Sequence, residues 1–408
     1  MSPKQQKNRW RLFNRHLFYS KIDDMKYNFD KTINRSLTYS YRWYVNEGEL
    51  PLNIADMDFE VLPEIKKAIQ DRAELDCYGY IRTPIEYFEA YAYWWKLRHD
   101  TYIDTSWCAF SLSVVGSIDT VLKHFSHKHD AVVMFTPIYN VFFNCIKNND
   151  LVLKECPFIL KDNAYEIDWT LLEDLLKLKE TRFFIFCNPH NPVGRRFSIE
   201  EVDRLIELCQ KYDVFLLSDE IHADLDFNKD RYVPVYKSEL SNYEKLIVFL
   251  SPGKVFNVAG LQSSIVVCKN KDLLQQIEQY LYMDDIGGAN YFSIDPVIAA
   301  FRNGERYVEE LNSYLNENKA YLIDFLSTHL PNLKLVGGEM TYLMWIDVSA
   351  YSQDSRRFTL ELRNKTGLVV APGINYGREG FIRLNIATPR KYLIDALNRL
   401  EKFILEQK

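Results

Sequence analysis

The sequence predicts an α/β fold: a large domain with a mostly parallel, mixed sheet flanked by helices, and a smaller α+β domain. Three observations support this fold class. Short β-rich runs alternate with helical patterns through the middle of the chain, each run ends at polar or turn residues, and the pattern changes after about residue 300. Alternation of strands and helices is typical of a parallel sheet. With 408 residues, of which 47% are hydrophobic, the chain is long enough for two domains with large cores.

The first part of the pattern is a series of strands and helices in the middle of the chain. A helix is predicted over residues 199–212, where apolar residues recur at helical spacing and Ser198 is a suitable N-cap. Ligands bind beyond the carboxyl ends of strands in such sheets, so the residues that follow each strand are candidates for a functional site. The predicted strands cover residues 131–135, 183–186, 214–217, 246–250 and 265–267.

The second part follows residue 300 and predicts the smaller α+β domain. It contains a long helical pattern over 305–330, apolar runs at 342–346 and 381–384, and a final helix over 392–406. We therefore expect an N-terminal segment contributing to the small domain, the large domain and the small C-terminal domain at residues 25–70, 71–305 and 306–408.

Residues 1–24 are predicted to be a disordered N-terminal extension. Residues 1–22 carry six lysines and arginines and no acid, and they lack the apolar core and cleavage site of a signal peptide. The ordinary globular pattern begins at Met25.

Composition argues against several classes of function. A net charge of -6 gives no electrostatic reason to expect binding to nucleic acid or to an anionic membrane, and no apolar stretch approaches the roughly 20 residues that span a bilayer. The seven cysteines are scattered and never spaced C-x-x-C. We therefore expect reduced thiols in a cytoplasmic enzyme, without a disulfide framework or a metal site.

Lys254 is the most informative residue, because it follows a buried strand, where an amine loses water. A neutral lysine amine is a nucleophile that forms Schiff bases. Asp219 and Asn191 follow two further strands. Pyridoxal 5′-phosphate (PLP) needs a lysine, an acid at its ring nitrogen and a donor to its O3′ atom, so these three residues predict a PLP site. The alternatives are a helix N-cap for Asp219 and a turn residue for Asn191.

Other residues supply the remaining contacts that PLP requires. Tyr139 is the candidate for stacking on the ring, with core packing as the alternative, and His222 is a second candidate donor to O3′. The phosphate is expected where a helix begins at Val114 and Val115, because free N–H groups and the helix dipole favour a dianion. The hydroxyl of Ser251 is a further candidate phosphate ligand.

Arg383 lies on the apolar run at 381–384 and is the candidate for binding a substrate carboxylate. The guanidinium group forms bidentate hydrogen bonds with carboxylates. The alternative is a structural ion pair. Asn191 is a second candidate for substrate binding.

The sequence resembles the fold type I PLP enzymes, and among them the cystathionine β-lyase-like C–S lyases (MalY/PatB type) of the class I/II aminotransferase superfamily. The resemblance extends over nearly the whole chain from Met25. A DEIH motif at 219–222 followed by FNxAGLQ at 256–262 separates this group from ordinary aminotransferases. Other matching strings lie at residues 54–59, 78–80, 187–194, 218–224, 254–262 and 383–390.

The resemblance implies PLP-dependent β-elimination of L-cysteine thioethers, such as cystathionine, to a thiol, pyruvate and ammonia. It implies a homodimer with active sites at the interface, in which Tyr80 reaches the PLP phosphate of the neighbouring subunit. It also makes Lys254 the Schiff-base lysine and Arg383 the carboxylate-binding residue. Two alternatives remain: a class I/II aminotransferase, and a regulatory protein that keeps the fold and binds a transcription factor.

Overall fold

The computed structural model describes residues 27–227 and 232–406. The predicted N-terminal extension, residues 1–24, lies outside the described residues. Fifteen β-strands form within the described part of the chain: β1 (Leu50–Pro51), β2 (Cys108–Ser111), β3 (Ala131–Thr136), β4 (Val152–Pro157), β5 (Ile159–Lys161), β6 (Ala164–Glu166), β7 (Thr181–Cys187), β8 (Phe215–Asp219), β9 (Leu246–Leu250), β10 (Ser264–Val267), β11 (Lys334–Leu335), β12 (Leu343–Asp347), β13 (Leu368–Val369), β14 (Ala371–Pro372) and β15 (Phe381–Asn385).

The helices alternate with these strands. None of the helices in the described ranges is both long and apolar enough to cross a membrane. The same ranges contain eleven α-helices: α1 (Pro63–Ala73), α2 (Ile85–His99), α3 (Val114–Phe125), α4 (Val141–Asn148), α5 (Trp169–Leu176), α6 (Ile199–Lys211), α7 (Lys271–Met283), α8 (Ile294–Asn303), α9 (Glu305–His329), α10 (Ser355–Thr366) and α11 (Arg390–Leu405). Short 3₁₀ helices cover Arg35–Thr38, Thr105–Trp107, Val235–Lys237, Ala259–Leu261 and Gly373–Tyr376.

A seven-stranded mixed sheet forms the centre of the structure, with the strand order β2-β10-β9-β8-β7-β3-β4. The pairs from β9 through β4 are parallel, whereas β10 runs antiparallel to both of its neighbours. The predicted mostly parallel, mixed sheet is therefore confirmed. Its parallel strands have their carboxyl ends along one edge, where the candidate residues follow them.

Both faces of this sheet are buried, because alternate side chains of each strand enter different hydrophobic clusters. On β7, Phe184 and Phe186 pack into one cluster together with helices α2, α5 and α6. Phe183 and Ile185 pack into the other cluster with α3, α4 and α7. The helices therefore flank the sheet on both faces, as the sequence predicts.

A smaller antiparallel sheet, with the order β11-β12-β15-β14, forms from the C-terminal part of the chain. The N-terminal strand β1 pairs with β13 in a parallel two-stranded sheet. The backbone N–H of Asn385 donates to the carbonyl of Leu52 at 2.9 Å. These contacts attach the N-terminal segment to the C-terminal part of the chain.

The start of α6 illustrates how closely local sequence specifies the fold. Ser198 is its N-cap: its hydroxyl accepts a hydrogen bond from the N–H of Glu201, and the Glu201 carboxylate accepts one from the N–H of Ser198. This reciprocal capping box satisfies two N–H groups that the helix itself leaves without acceptors. The predicted N-cap is confirmed.

Substitution Ser198→Ala is expected to lower the free energy of unfolding by about 1 kcal/mol, because the N–H of Glu201 loses its acceptor. Denaturant unfolding followed by circular dichroism measures the change. Ser327→Ala on the exposed face of α9 is the matched control and should leave the free energy unchanged or slightly higher, because alanine favours a helix interior. Equal effects of the two substitutions would contradict the prediction.

Candidate active site

Lys254 lies in the turn after β9 and is half-buried. Its Nζ atom donates a hydrogen bond to the backbone carbonyl of Ala55 at 2.8 Å. Loss of water around the amine lowers the pKa of Lys254 to about 8, and the positive charge of Arg383 acts in the same direction, against Asp56 and Asp219. A substantial fraction of this amine is therefore neutral near pH 8, as a nucleophile or a base requires.

Asp219 is the last residue of β8 and its side chain is buried. One carboxylate oxygen accepts from the N–H of Ile221 at 3.1 Å. Burial raises the pKa of Asp219 to about 6, opposed by this hydrogen bond and by the charge of Lys254. A turn follows β8, so the alternative of a helix N-cap for Asp219 is wrong. This buried carboxylate gains stability from a cation placed beside it.

Arg383 and Asn191 are joined by a hydrogen bond. The Nη1 atom of Arg383 donates to Oδ1 of Asn191 at 3.1 Å, and Nη2 donates to the carbonyl of Asn53 at 2.8 Å. The side-chain oxygen of Asn191 is thereby engaged, which leaves its NH₂ group to donate into the cavity. Arg383 also lies over the ring of Tyr376, with 4.5 Å between the guanidinium carbon and the ring centre.

Arg383 has the free bonding capacity that a bound carboxylate would use. The residue is buried, and within residues 27–227 and 232–406 it forms no ion pair with an acid. Its Nε atom is buried without a hydrogen-bond acceptor in the described part of the chain. A structural ion pair therefore does not explain this arginine.

The beginning of α3 forms a further wall of the site. Val114 and Val115 are its first two residues, so their N–H groups have no acceptor within the helix. The N-cap Ser113 accepts from the N–H of Gly116 at 3.0 Å through its hydroxyl. The free N–H groups and the positive end of the helix dipole are suited to an anion.

Ser251 is oriented by its neighbours. Its hydroxyl donates to the carbonyl of Ser263 at 2.8 Å and accepts from the N–H of Gly253 at 3.1 Å. The hydroxyl proton is thus already used, so Ser251 must rotate in order to donate to a phosphate.

Lys254, Asp219, Asn191, Ser251 and the start of α3 face one cavity with a volume of about 160 Å³. Within it, His222 is buried, and its Nδ1 atom has no hydrogen-bond partner in the described part of the chain. Burial, followed by the charges of Lys254 and Arg383, holds the pKa of His222 well below its usual value. The cavity is lined by Ala55, Leu112, Ser113, Val114, Val115, Tyr139, Asn191, Asp219, Ile221, His222, Ser251, Gly253, Lys254, Ala259 and Ser263.

Two of the predicted site residues do not line this cavity. Arg383 lies behind Asn191, to which it is hydrogen-bonded. Tyr80 is fully exposed on the surface of the single chain. Among the described residues, no group of three or more histidine, cysteine, aspartate or glutamate side chains is arranged to hold a metal ion.

Sequence reasoning missed the N-terminal segment as part of the site. Asp56 and Asp58 of this segment form ion pairs with Arg35 and Arg42, which hold the segment in place. The carbonyl of Ala55 accepts from Lys254. The matching string at residues 54–59 was the available signal, but a backbone carbonyl has no side-chain signature in a sequence.

The residues present fit PLP. The cavity offers an amine of lowered pKa, a buried carboxylate suited to a cation, an NH₂ donor and a helix N-terminus suited to a phosphate. The unpartnered Nδ1 of buried His222 is a further polar atom that a bound group would satisfy.

Comparisons with known proteins agree with this site. A family model described as aminotransferase class I and II matches residues 47–400. Cystathionine beta-lyase PatB of Bacillus subtilis (strain 168) is 32% identical over 383 residues, which are 92% of this chain and 99% of that protein. The structure of a PLP-bound putative aminotransferase from Clostridium difficile 630 has 32% identity and a TM-score of 0.89, covering 93% of this chain and 100% of its own. The PLP-bound C-S lyase from Staphylococcus hominis has 30% identity and a TM-score of 0.87, covering 93% and 99%.

The lowered pKa of Lys254 predicts unusual reactivity toward acylating reagents. In competitive acetylation of the chain freed of any bound cofactor, with acetic anhydride and mass spectrometry from pH 6 to 10, Lys254 should react with a midpoint near pH 8. An ordinary lysine amine has a pKa of about 10.4. Substitution Arg383→Met should raise the Lys254 midpoint and Asp219→Asn should lower it, because these two side chains carry opposite charges. Shifts of the same sign would contradict the electrostatic assignment.

Proposed function

The chain belongs to the class I and II aminotransferase family, and we propose that within this family it is a PLP-dependent C–S lyase acting on L-cysteine thioethers, including cystathionine. The products are a thiol, pyruvate and ammonia. One observation carries this proposal: a single cavity is lined by Lys254, Asp219 and Asn191, and Arg383 is hydrogen-bonded to Asn191 behind the cavity wall. The similarity to PatB, a cystathionine beta-lyase, over 92% of the chain supports this choice of reaction.

Each part of PLP would be contacted by particular residues of this chain. Lys254 would hold PLP covalently, and Asp219 would keep a proton on the ring nitrogen, because its buried carboxylate is stabilised by a cation. When bound, PLP supplies an electron sink for the charge left at the substrate Cα atom. The other proposed contacts are stacking by Tyr139, donation to O3′ by Asn191 and His222, and phosphate binding by Val114, Val115 and Ser251.

Arg383 would bind and orient the substrate carboxylate. Its guanidinium is held by Asn191, Asn53 and the ring of Tyr376, so the plane of the guanidinium group is fixed before the substrate binds. A preorganised arginine loses less side-chain freedom on binding a carboxylate than a flexible lysine would. The Nε atom, which has no acceptor among the described residues, adds donor capacity on the same group.

Lys254 would act as the general base. Its amine, with a pKa near 8, accepts a proton from the substrate Cα atom when it is neutral and carries that proton on Nζ. The Cβ–S bond then breaks, and the sulfur leaves with the bonding electron pair as a thiolate. Water completes the release of pyruvate and ammonia. The carbonyl of Ala55 is placed to accept from the protonated Nζ.

The wider organisation of the enzyme is part of the proposal. A homodimer with shared active sites would explain why Tyr80 is fully exposed in a single chain, since its ring would then reach the partner's phosphate site. Seven free cysteines are consistent with a cytoplasmic location. The proposed domains are a large PLP-binding domain over 71–305 and a small domain over 306–408, to which residues 25–70 contribute.

An aminotransferase is the second candidate. The family model is named for this activity, and both reactions begin with removal of the Cα proton by the same lysine. They differ in the next step, which is either loss of the group on Cβ or return of a proton to the cofactor. The side chains that line the cavity serve either outcome.

Lys254→Ala should abolish production of thiol and pyruvate from L-cystathionine, because the base that removes the Cα proton is lost. A thiol reagent and a coupled lactate dehydrogenase assay measure the two products together. Lys269→Ala is the matched control, since this half-buried lysine follows the neighbouring strand β10 outside the cavity, and it should retain turnover. Wild-type protein that forms neither product, but transfers its amino group to a 2-oxo acid, would favour the aminotransferase.

Arg383→Lys should lower kcat/KM by about 100-fold, because a lysine cannot reproduce the bidentate contact with a carboxylate or the bonds to Asn191 and Asn53. Steady-state kinetics with a cysteine thioether provides the measurement. Arg378→Lys, in the exposed loop before β15, is the control and should change kcat/KM less than twofold. A similar loss in both variants would remove the support for a specific role of Arg383.

A further inference from the structure

The carbonyl of Ala55 is shared by two side-chain donors, the half-buried Lys254 and the buried Tyr342. It accepts from Nζ of Lys254 at 2.8 Å and from the hydroxyl of Tyr342 at 3.1 Å. A carbonyl oxygen has two lone pairs and accommodates both hydrogen bonds. We propose that Tyr342 is a positioning residue which, through the Ala55 carbonyl, sets the basicity of the Lys254 amine.

The Ala55 carbonyl does not depend on Tyr342 for its orientation. The side-chain NH₂ of Asn385 donates to the carbonyl of Ile54 at 2.6 Å and to that of Asp56 at 2.7 Å. The peptide groups before and after the one that carries the Ala55 carbonyl are therefore held by a side chain of the small sheet. Loss of the Tyr342 hydroxyl would change how strongly this carbonyl accepts, while leaving its position unchanged.

The backbone beside Tyr342 has a strained conformation. Thr341 has a φ of 66°, a left-handed conformation that is unfavourable for a β-branched residue. Its N–H donates to the carbonyl of Leu225 at 2.9 Å, and Tyr342 itself is fully buried. Such conformations persist where the surrounding structure holds them in place and are concentrated at functional sites.

The effect of Tyr342 on Lys254 is separate from that of the charged groups around the amine. Arg383 on β15, Asp56 on the N-terminal segment and Asp219 on β8 act on Lys254 through their charges, and neutral His222 lies in the same cavity. Tyr342 contributes no charge. It donates into the oxygen that also accepts from Lys254, so it weakens the acceptor that stabilises the ammonium form.

This inference deepens the proposed function, because Lys254 is the proposed general base, but the reactivity of its amine is measurable without turnover. Removing the Tyr342 hydroxyl leaves the Ala55 carbonyl to Lys254 alone. The ammonium form then gains a stronger hydrogen bond, and the pKa of Lys254 rises. The expected size is about 0.3 to 0.7 pH unit, because loss of the second donor changes the strength of a charge-assisted hydrogen bond by only a fraction.

The test is competitive acetylation of the full chain, freed of any bound cofactor, with acetic anhydride and mass spectrometry. In Tyr342→Phe the Lys254 midpoint should move up by this amount, and its rate of acetylation at pH 7.5 should fall about two- to fourfold. Tyr307→Phe is the matched control: this buried hydroxyl donates to the carbonyl of Glu60 at 3.0 Å, and its loss should leave Lys254 unchanged.

An unchanged Lys254 midpoint in Tyr342→Phe, or an equal shift in Tyr307→Phe, overturns the proposal. If Tyr342→Phe does not fold, Tyr342→Met provides the second test, because this flexible apolar side chain also removes the hydroxyl that donates to the Ala55 carbonyl. A rise of the Lys254 midpoint supports the proposal in that variant, and a midpoint equal to that of the wild type overturns it. Absence of lyase activity would contradict the proposed function and leave these readings valid.

Discussion

The hydrogen bond between Nζ of Lys254 and the carbonyl of Ala55 joins the two halves of the site. Lys254 follows the large sheet, whereas Ala55 belongs to the N-terminal segment that is bonded to the small sheet. An amine withdrawn from water needs an acceptor, and a backbone carbonyl supplies one without adding a charge. Burial lowers the pKa of Lys254 to about 8, and a carboxylate in the position of this carbonyl would oppose that shift by favouring the protonated amine.

The order of the sheet explains why the polar groups meet. Strands β7, β8 and β9 are neighbours in the parallel part of the sheet, so Asn191, Asp219 and Lys254 emerge side by side at one edge. The phenylalanines, leucines and valines behind them exclude water from both faces of the sheet. Desolvation then moves the two titratable groups in opposite directions: the pKa of Asp219 rises to about 6 and that of Lys254 falls to about 8.

The parts of the fold that could be predicted are those that a local sequence pattern specifies. The central strands, helix α6 with its cap Ser198, and the helices α9 and α11 were predicted within a few residues of their observed limits, and the fold type I architecture is confirmed by PLP-bound structures of the same shape. The roles of Ala55 and Asn385 could not be predicted. Ala55 accepts from Lys254 through its backbone carbonyl, and Asn385 donates to the carbonyls of Ile54 and Asp56, and in each case the partner is distant in sequence. The engaged hydroxyl proton of Ser251 escaped prediction for the same reason.

The N-terminal segment also sets the distance between the two proposed reactive side chains. Arg383 donates to the carbonyl of Asn53, and Lys254 donates to that of Ala55, two residues further along. The arginine comes from the small sheet and the lysine from the turn after the large sheet, so a movement between the sheets would separate them. Asn385 donates to the carbonyl of Ile54, which lies between Asn53 and Ala55 in the chain, and to that of Asp56, which follows Ala55. A carboxylate bound at Arg383 is therefore held at a fixed distance from the amine that removes the proton on the adjacent carbon, because Arg383 and Lys254 are both hydrogen-bonded to one short stretch of backbone.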